Sequence, residues 1–251
     1  LAQKYFLKLK NRKSKSVLNI FVSNSLLNWL SLKNLDLKKA QKKINVKNSR
    51  FENLNIIQNV FLHCFYDSQK TEFFFDELVL NQKIDFSRYN YFYAGYLSNT
   101  GKIEQAKKVV NSSLKLYPRN LLLNQYKLDL NNGKHTNNFN CQNLSSIIAE
   151  IFYITANALS SQNIYTFSNF YLNLSKYLNN DFYPFDTLLA ENFYKTDDFV
   201  QAKKIYKEMS KQGEAFFWYS AKQNAKILIK QDKKEKALKL INNTYEKLSK
   251  K

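Results

Sequence analysis

The chain is poor in the residues that interrupt regular structure. Its 251 residues include only four glycines and two prolines. An all-β protein needs many tight turns, and those turns draw on glycine and proline for their special backbone angles. So few of either leaves helices joined by short polar turns. Cysteine is as scarce: Cys64 and Cys141 lack the paired spacing of a disulfide framework or a structural zinc site. Arginine occurs only at positions 12, 50, 88 and 119, so all but four of the 39 basic residues are lysine. The four glycines, at 95, 101, 133 and 213, form no phosphate-cradling loop. No run of about 18 apolar residues stands out, which argues against a membrane span.

What is present is apolar and strongly basic. Hydrophobic residues make up 44% of the chain and aromatic residues 16%, enough for a substantial core, and the net charge is +19. Such a charge invites a nucleic-acid partner. Asn, Ile, Phe and Tyr are abundant as well, however, and an AT-rich genome favours the codons of these residues together with those of Lys. A surface built for phosphate would be expected to use more arginine, whose planar fork fits phosphate oxygens. The lysine excess therefore reads first as a bias of composition.

The organising pattern lies at residues 87–120, SRYNYFYAGYLSNTGKIEQAKKVVNSSLKLYPRN. The spacing predicts a helix, a turn at Asn99-Thr100-Gly101, a second helix with Ile103, Val110, Leu114 and Leu116 on its apolar face, and a stop at Pro118. Ala94 and Ala106 stand twelve residues apart with Gly101 between them. The same ruler finds Ala156 and Ser168, Ala190 and Ala202, and Ala225 and Ala237. Ser168 to Ala202 is 34 residues and Ala202 to Ala237 is 35. Less regular units occupy 17–47 and 51–84, and residues 1–13 read as the second helix of a unit cut off upstream. The sequence opens at Leu1 without Met and is expected to be a fragment or a processed form. After Pro118 the period falters: residues 121–130 suit a first helix, but the Asn-rich stretch that follows has a loop composition, and an irregular, mobile segment is expected near 131–142.

These small–turn–small units resemble the tetratricopeptide repeat (TPR), a helix–turn–helix of about 34 residues that stacks into a solenoid. The resemblance covers nearly the whole chain, in about seven units and a fragment. It departs from the family pattern where the early aromatic is replaced by Asn90, Asp186 and Ala221, with Phe152 the good match, and only Gly101 supplies the usual turn glycine. The order of units is similar to that of long TPR proteins of alphaproteobacteria. The segment 201–213 (QAKKIYKEMSKQG) also resembles the second helix of a pentatricopeptide repeat, an RNA-reading relative. The expected fold is all-α, a right-handed α-solenoid of TPR-like units, with N-terminal repeats in 1–130, a loop or degenerate repeat in 131–146 and C-terminal repeats in 147–251.

No catalytic constellation is apparent. His63 and Cys64 are adjacent, so on a helix they point about 100° apart and do not share a face as paired ligands would. Cys64 falls on the apolar face and reads as a small hydrophobe. His135 and Cys141 read as loop residues. Asp197-Asp198 precedes a helix, where capping accounts for it. No nucleophile, base and orienting group come together, and no enzyme activity, metal or cofactor is expected.

The family resemblance implies a concave groove lined by first helices and occupied by a peptide or protein segment. The positions it directs inward are Arg88, Tyr91, Asn99, Tyr153, Asn157, Glu191 and Lys195, followed by Lys222, Lys226 and Lys230 as a basic stripe at helical spacing. Such a groove would favour an acidic partner. The chain is therefore read as a non-enzymatic protein-binding scaffold, with an RNA-binding basic solenoid as the alternative. By the same resemblance its expected setting is a bacterial cytoplasm, or the periplasm or cell envelope.

Overall fold

A computed structural model describes residues 17–44, 52–80, 87–134 and 138–250. The helix expected at 1–13 and His135 lie outside these. The described residues form thirteen α-helices and no strand. Helix α1 (Val17–Leu30) leads through a 3-10 turn (Leu32–Asn34) to α2 (Leu37–Ile44). Helices α3 (Glu52–Phe65) and α4 (Thr71–Leu80), then α5 (Ser87–Asn99) and α6 (Ile103–Leu116), are further hairpins. Helix α7 (Leu121–Asn131) has no second helix after it. Three regular hairpins follow: α8 (Leu144–Ser161) with α9 (Tyr165–Leu178), α10 (Pro184–Lys195) with α11 (Phe199–Met209), and α12 (Glu214–Lys230) with α13 (Lys234–Ser249).

One turn chemistry ends six of the first helices. At Gly101, φ is +81°, and the N–H groups of Gly101 and Lys102 donate to the carbonyls of Ser98 and Leu97 at 3.1 and 2.8 Å. This pair of bonds satisfies carbonyls that the helix end leaves open. The same arrangement recurs at Asp67, Gly133, Asn163, Asp197 and Asp232, all with positive φ. The missing turn glycines are thus replaced by Asp and Asn, the side chains that tolerate the left-handed region best.

The twelve-residue ruler marks where each hairpin's helices cross most closely. Ala94, Ala106, Ala156, Ser168, Ala190 and Ala202 are fully buried, and Ala225 and Ala237 nearly so. The Ser168 hydroxyl donates to the Ala156 carbonyl at 2.8 Å, a contact that a larger residue at either position would prevent. Buried amides stitch neighbouring helices. Asn90 donates to Ser113 Oγ at 2.9 Å between α5 and α6. Asn192 of α10 donates to Ser168 and Asn169 of α9, both at 2.8 Å, and accepts from Ser160 of α8 at 2.6 Å.

Residues 138–143 lie outside any helix, and they are pinned rather than mobile. Phe139 is buried and stacks on Phe92 of α5, with ring centroids 3.9 Å apart and planes 8° apart. Phe61 of α3 and Phe182 complete the cluster, at 5.3 and 6.0 Å from Phe139. Two residues on, Cys141 forms a disulfide with Cys64 of α3, the Cα atoms 5.7 Å apart. The expectation of two unrelated cysteines is therefore corrected. Their 77-residue separation carries no signature in sequence, because the pairing is made through space by the crossing segment.

The crossing segment sits where two rows of helices meet. Besides contacts between consecutive elements, α1 packs on α8 and α7 packs on α12. First helices α1 and α7 thus meet first helices α8 and α12 of the other half, whereas in a one-dimensional stack each unit touches only its neighbours. At the far end, the Gln125 side chain of α7 accepts from the Ala215 N–H at the start of α12 at 3.0 Å. Gly213 makes that approach feasible: with φ at +139°, a Cβ there would lie 2.2 Å from the buried Gln125 amide. Helix α8 is apolar and long enough to cross a membrane by length and composition alone, with a mean hydropathy of 1.2. Here it is a core helix, carrying buried Ile147, Ala149, Ile151 and a fully buried Glu150.

Candidate functional site

The ten residues expected to line one groove separate into two groups. Arg88, Tyr91 and Tyr153 lie between the rows. Arg88 of α5 grips Glu150 of α8 with both Nε and Nη2, each at 2.7 Å from a carboxylate oxygen. The guanidinium lies 3.7 Å from the centroid of the Tyr153 ring and is flanked by Phe92, Phe182 and Phe185. Glu150 has no exposed side-chain surface and Arg88 only 15%. Burial is the largest single influence and disfavours the guanidinium charge, but the Glu150 carboxylate, together with Tyr153 and Tyr89, holds the Arg88 pKa above its ordinary value. Tyr91 packs edge-on against Tyr126 at 5.2 Å and near Phe182; burial pushes its hydroxyl pKa well up. An intramolecular interface therefore occupies this stretch of the expected groove. Its residues join the two rows, and Tyr91 also borders a cavity.

Sequence reasoning missed Glu150. The available signal was a lone carboxylate within the apolar run 147–154, since a buried charge survives only with a partner. Breaking such a pair from one side leaves the other charge buried, at a cost of about 3–5 kcal/mol.

The second group is exposed. Asn99 and Asn157 lie near the C-terminal ends of their helices, at the surface. Glu191 and Lys195 are exposed on α10, and Glu191 accepts from the Tyr219 hydroxyl of α12 at 3.0 Å. Lys222, Lys226 and Lys230 form the expected stripe along α12, and all three are exposed. Lys230 pairs with Asp197 at the α10–α11 turn and sits 5.2 Å from the Tyr194 ring centroid. That carboxylate raises the Lys230 pKa. Lys222 lies 5.9 Å from the Trp218 ring centroid. No carboxylate among the described residues pairs with Lys222 or Lys226.

His63 is buried, stacked on Phe74 at 4.1 Å, with Nδ1 3.0 Å from Ser68 Oγ. Burial, helped by Lys70, lowers its pKa. No group of three or more His, Cys, Asp or Glu among the described residues could hold a metal. Asp198 caps α11 by accepting from the Gln201 N–H at 3.1 Å, the role expected for it. No protein-family model matches the chain, and no curated protein is significantly similar to it.

Proposed function

We propose that the chain is a non-enzymatic helical-repeat scaffold that binds an acidic protein segment along the exposed face of α12. Its hairpins follow the TPR plan of a right-handed α-solenoid in their turn chemistry and in their small-residue crossings. The observation that carries the reading is the pair Lys222 and Lys226, exposed one helical turn apart beside Trp218 and unmatched by carboxylates. Glu191 and Lys195 extend the same face onto α10. Arg88, Tyr91 and Tyr153 contribute to the platform rather than to the partner. A rim of lysines chiefly speeds encounter and selects charge, so binding should weaken as salt rises.

The test is fluorescence anisotropy with a labelled glutamate-rich peptide, comparing the native chain with the Lys222→Glu, Lys226→Glu, Lys230→Glu triple variant. Saturable binding that the triple variant abolishes supports the reading; equal binding by both overturns it. The net charge of +19 favours a second reading, RNA binding. It requires a linear fall of log affinity with log salt for random RNA, the slope counting the phosphates neutralised. RNA affinity weaker than millimolar at moderate salt would remove it.

A further inference from the structure

The break after α7 leaves a cavity of about 300 Å³ between α7, the start of α10 and the start of α12. Three tyrosines line it, Tyr91, Tyr126 and Tyr183, together with Phe216. Among them stands one carboxylate, Asp129, half-buried and held by the Gln125 amide, which donates to its Oδ1 at 2.9 Å. The Gln125 carbonyl oxygen is committed to the Ala215 N–H, so the amide cannot turn away, and it fixes one edge of Asp129. Two lysines, Lys134 and Lys211, also line the cavity, and both are exposed, which places them at its solvent side.

Charge is divided along the cavity: one acid stands inside among the tyrosine side chains, and outside it are Lys134 and a Lys211 that pairs with Glu208 at 2.7 Å. Burial raises the Asp129 pKa, with Gln125 and Lys134 opposing that rise. The Asp129 charge in turn pushes up the hydroxyl pKa values of Tyr91, Tyr126 and Tyr183, an effect secondary to their burial that places all three in its field. A cation inside this cavity would meet the Asp129 carboxylate among three tyrosine side chains, and an ammonium group can donate charge-assisted hydrogen bonds to such a carboxylate. A partly buried carboxylate is costly unless paired, so a cation that enters gains more than it would at the surface. Lys134 and Lys211 repel a simple cation at the entrance, but they would complement an anionic group on the same molecule. The volume is at the low end for ligand cavities, and it lies at the junction of two structural units, where such sites concentrate.

We propose that this cavity binds a small zwitterion of the free amino-acid class, its ammonium group at Asp129 and its carboxylate toward Lys134 and Lys211. The site is separate from the α12 lysine face and does not depend on it. Because the cavity is walled by α7, α10 and α12, an occupant would brace the two rows against each other.

Isothermal titration calorimetry of the full chain against a panel of free L-amino acids tests this, with choline and acetate as half-ligands. At least one amino acid should bind, with choline weaker and acetate weaker still. Asp129→Asn should cost at least about tenfold in affinity, the scale of losing a charge-assisted hydrogen bond. A Lys134→Gln, Lys211→Gln double variant should weaken the amino acid while leaving or improving choline. Absence of binding by every member at millimolar concentration overturns the proposal, as does an unchanged affinity in Asp129→Asn. If that variant loses the native helical circular dichroism, the lysine double variant decides, since both side chains are exposed. Equal losses for the amino acid and choline in that variant would also overturn it.

Discussion

The turn at Gly101 and the turn at Gly133 are built alike and lead to different outcomes. Each ends a first helix with a left-handed glycine and the same pair of backbone hydrogen bonds. After Gly101 comes Lys-Ile-Glu-Gln-Ala, and the alanine settles into the closest crossing of a second helix. After Gly133 comes Lys-His-Thr-Asn-Asn-Phe-Asn, with no small residue at that place and several asparagines whose amides compete for backbone bonds. The turn closes a helix; the residues five and beyond decide whether another begins. Where it does not begin, α7 is left with a face to cover, and α12 covers it. The missing helix therefore turns a linear stack into two rows that face each other, with Phe139 and Cys141 between them.

Five variants would sharpen or break that comparison. The largest effect is expected from Phe139→Ala, which empties the centre of the aromatic cluster between the rows. It should cost about 3–5 kcal/mol in urea unfolding. A loss under about 1 kcal/mol would mean that the crossing segment fills no real gap. Next is removal of the disulfide by Cys64→Ser with Cys141→Ser, expected to cost about 2–4 kcal/mol because it frees a long loop in the unfolded chain. Reduction of the native chain should reproduce that shift in melting temperature.

Gly101→Ala should cost about 1 kcal/mol through its left-handed backbone, since nothing lies within 4 Å of the new Cβ. Asn163→Gly at the matching turn should stay within about 0.5 kcal/mol of the native stability. Equal effects at the two turns would show that their shared conformation is not what holds them. The smallest effect is a pH dependence from His63. Its folded pKa lies below the ordinary value of 6.5, so the unfolded chain binds more protons in the window between them. This contribution is complete above that ordinary value and is lost as pH falls through it toward the folded pKa. Thermal melts from pH 7.5 to 5 should show a decline that His63→Gln reduces.

Much of the fold was legible because it is local. Helix periods, the alanine ruler and the loss of register after Pro118 all appear within a window of some 34 residues. The left-handed geometry of Asp67, Asn163, Asp197 and Asp232 became evident only when set beside Gly101. The facing of the two rows was not legible. It depends on Arg88 meeting Glu150 across 62 residues and on Cys64 meeting Cys141 across 77, and no periodic pattern encodes either distance. For the same reason Arg88, Tyr91 and Tyr153 read as groove residues: the period assigns them to a face of the first helices, but it could not reveal what that face would meet. The stripe at Lys222, Lys226 and Lys230 was legible because helical spacing alone sets it, and among the described residues all three side chains are exposed.

The facing of the two rows is tested most directly by a double-mutant cycle on Arg88→Met and Glu150→Leu, measured by urea unfolding. Each single change leaves a buried charge alone and should cost about 3–5 kcal/mol, while the double variant should recover at least about 2 kcal/mol of the summed loss. Single changes that add to within about 0.5 kcal/mol would mean that the two residues do not meet, and that α5 and α8 belong to an open array.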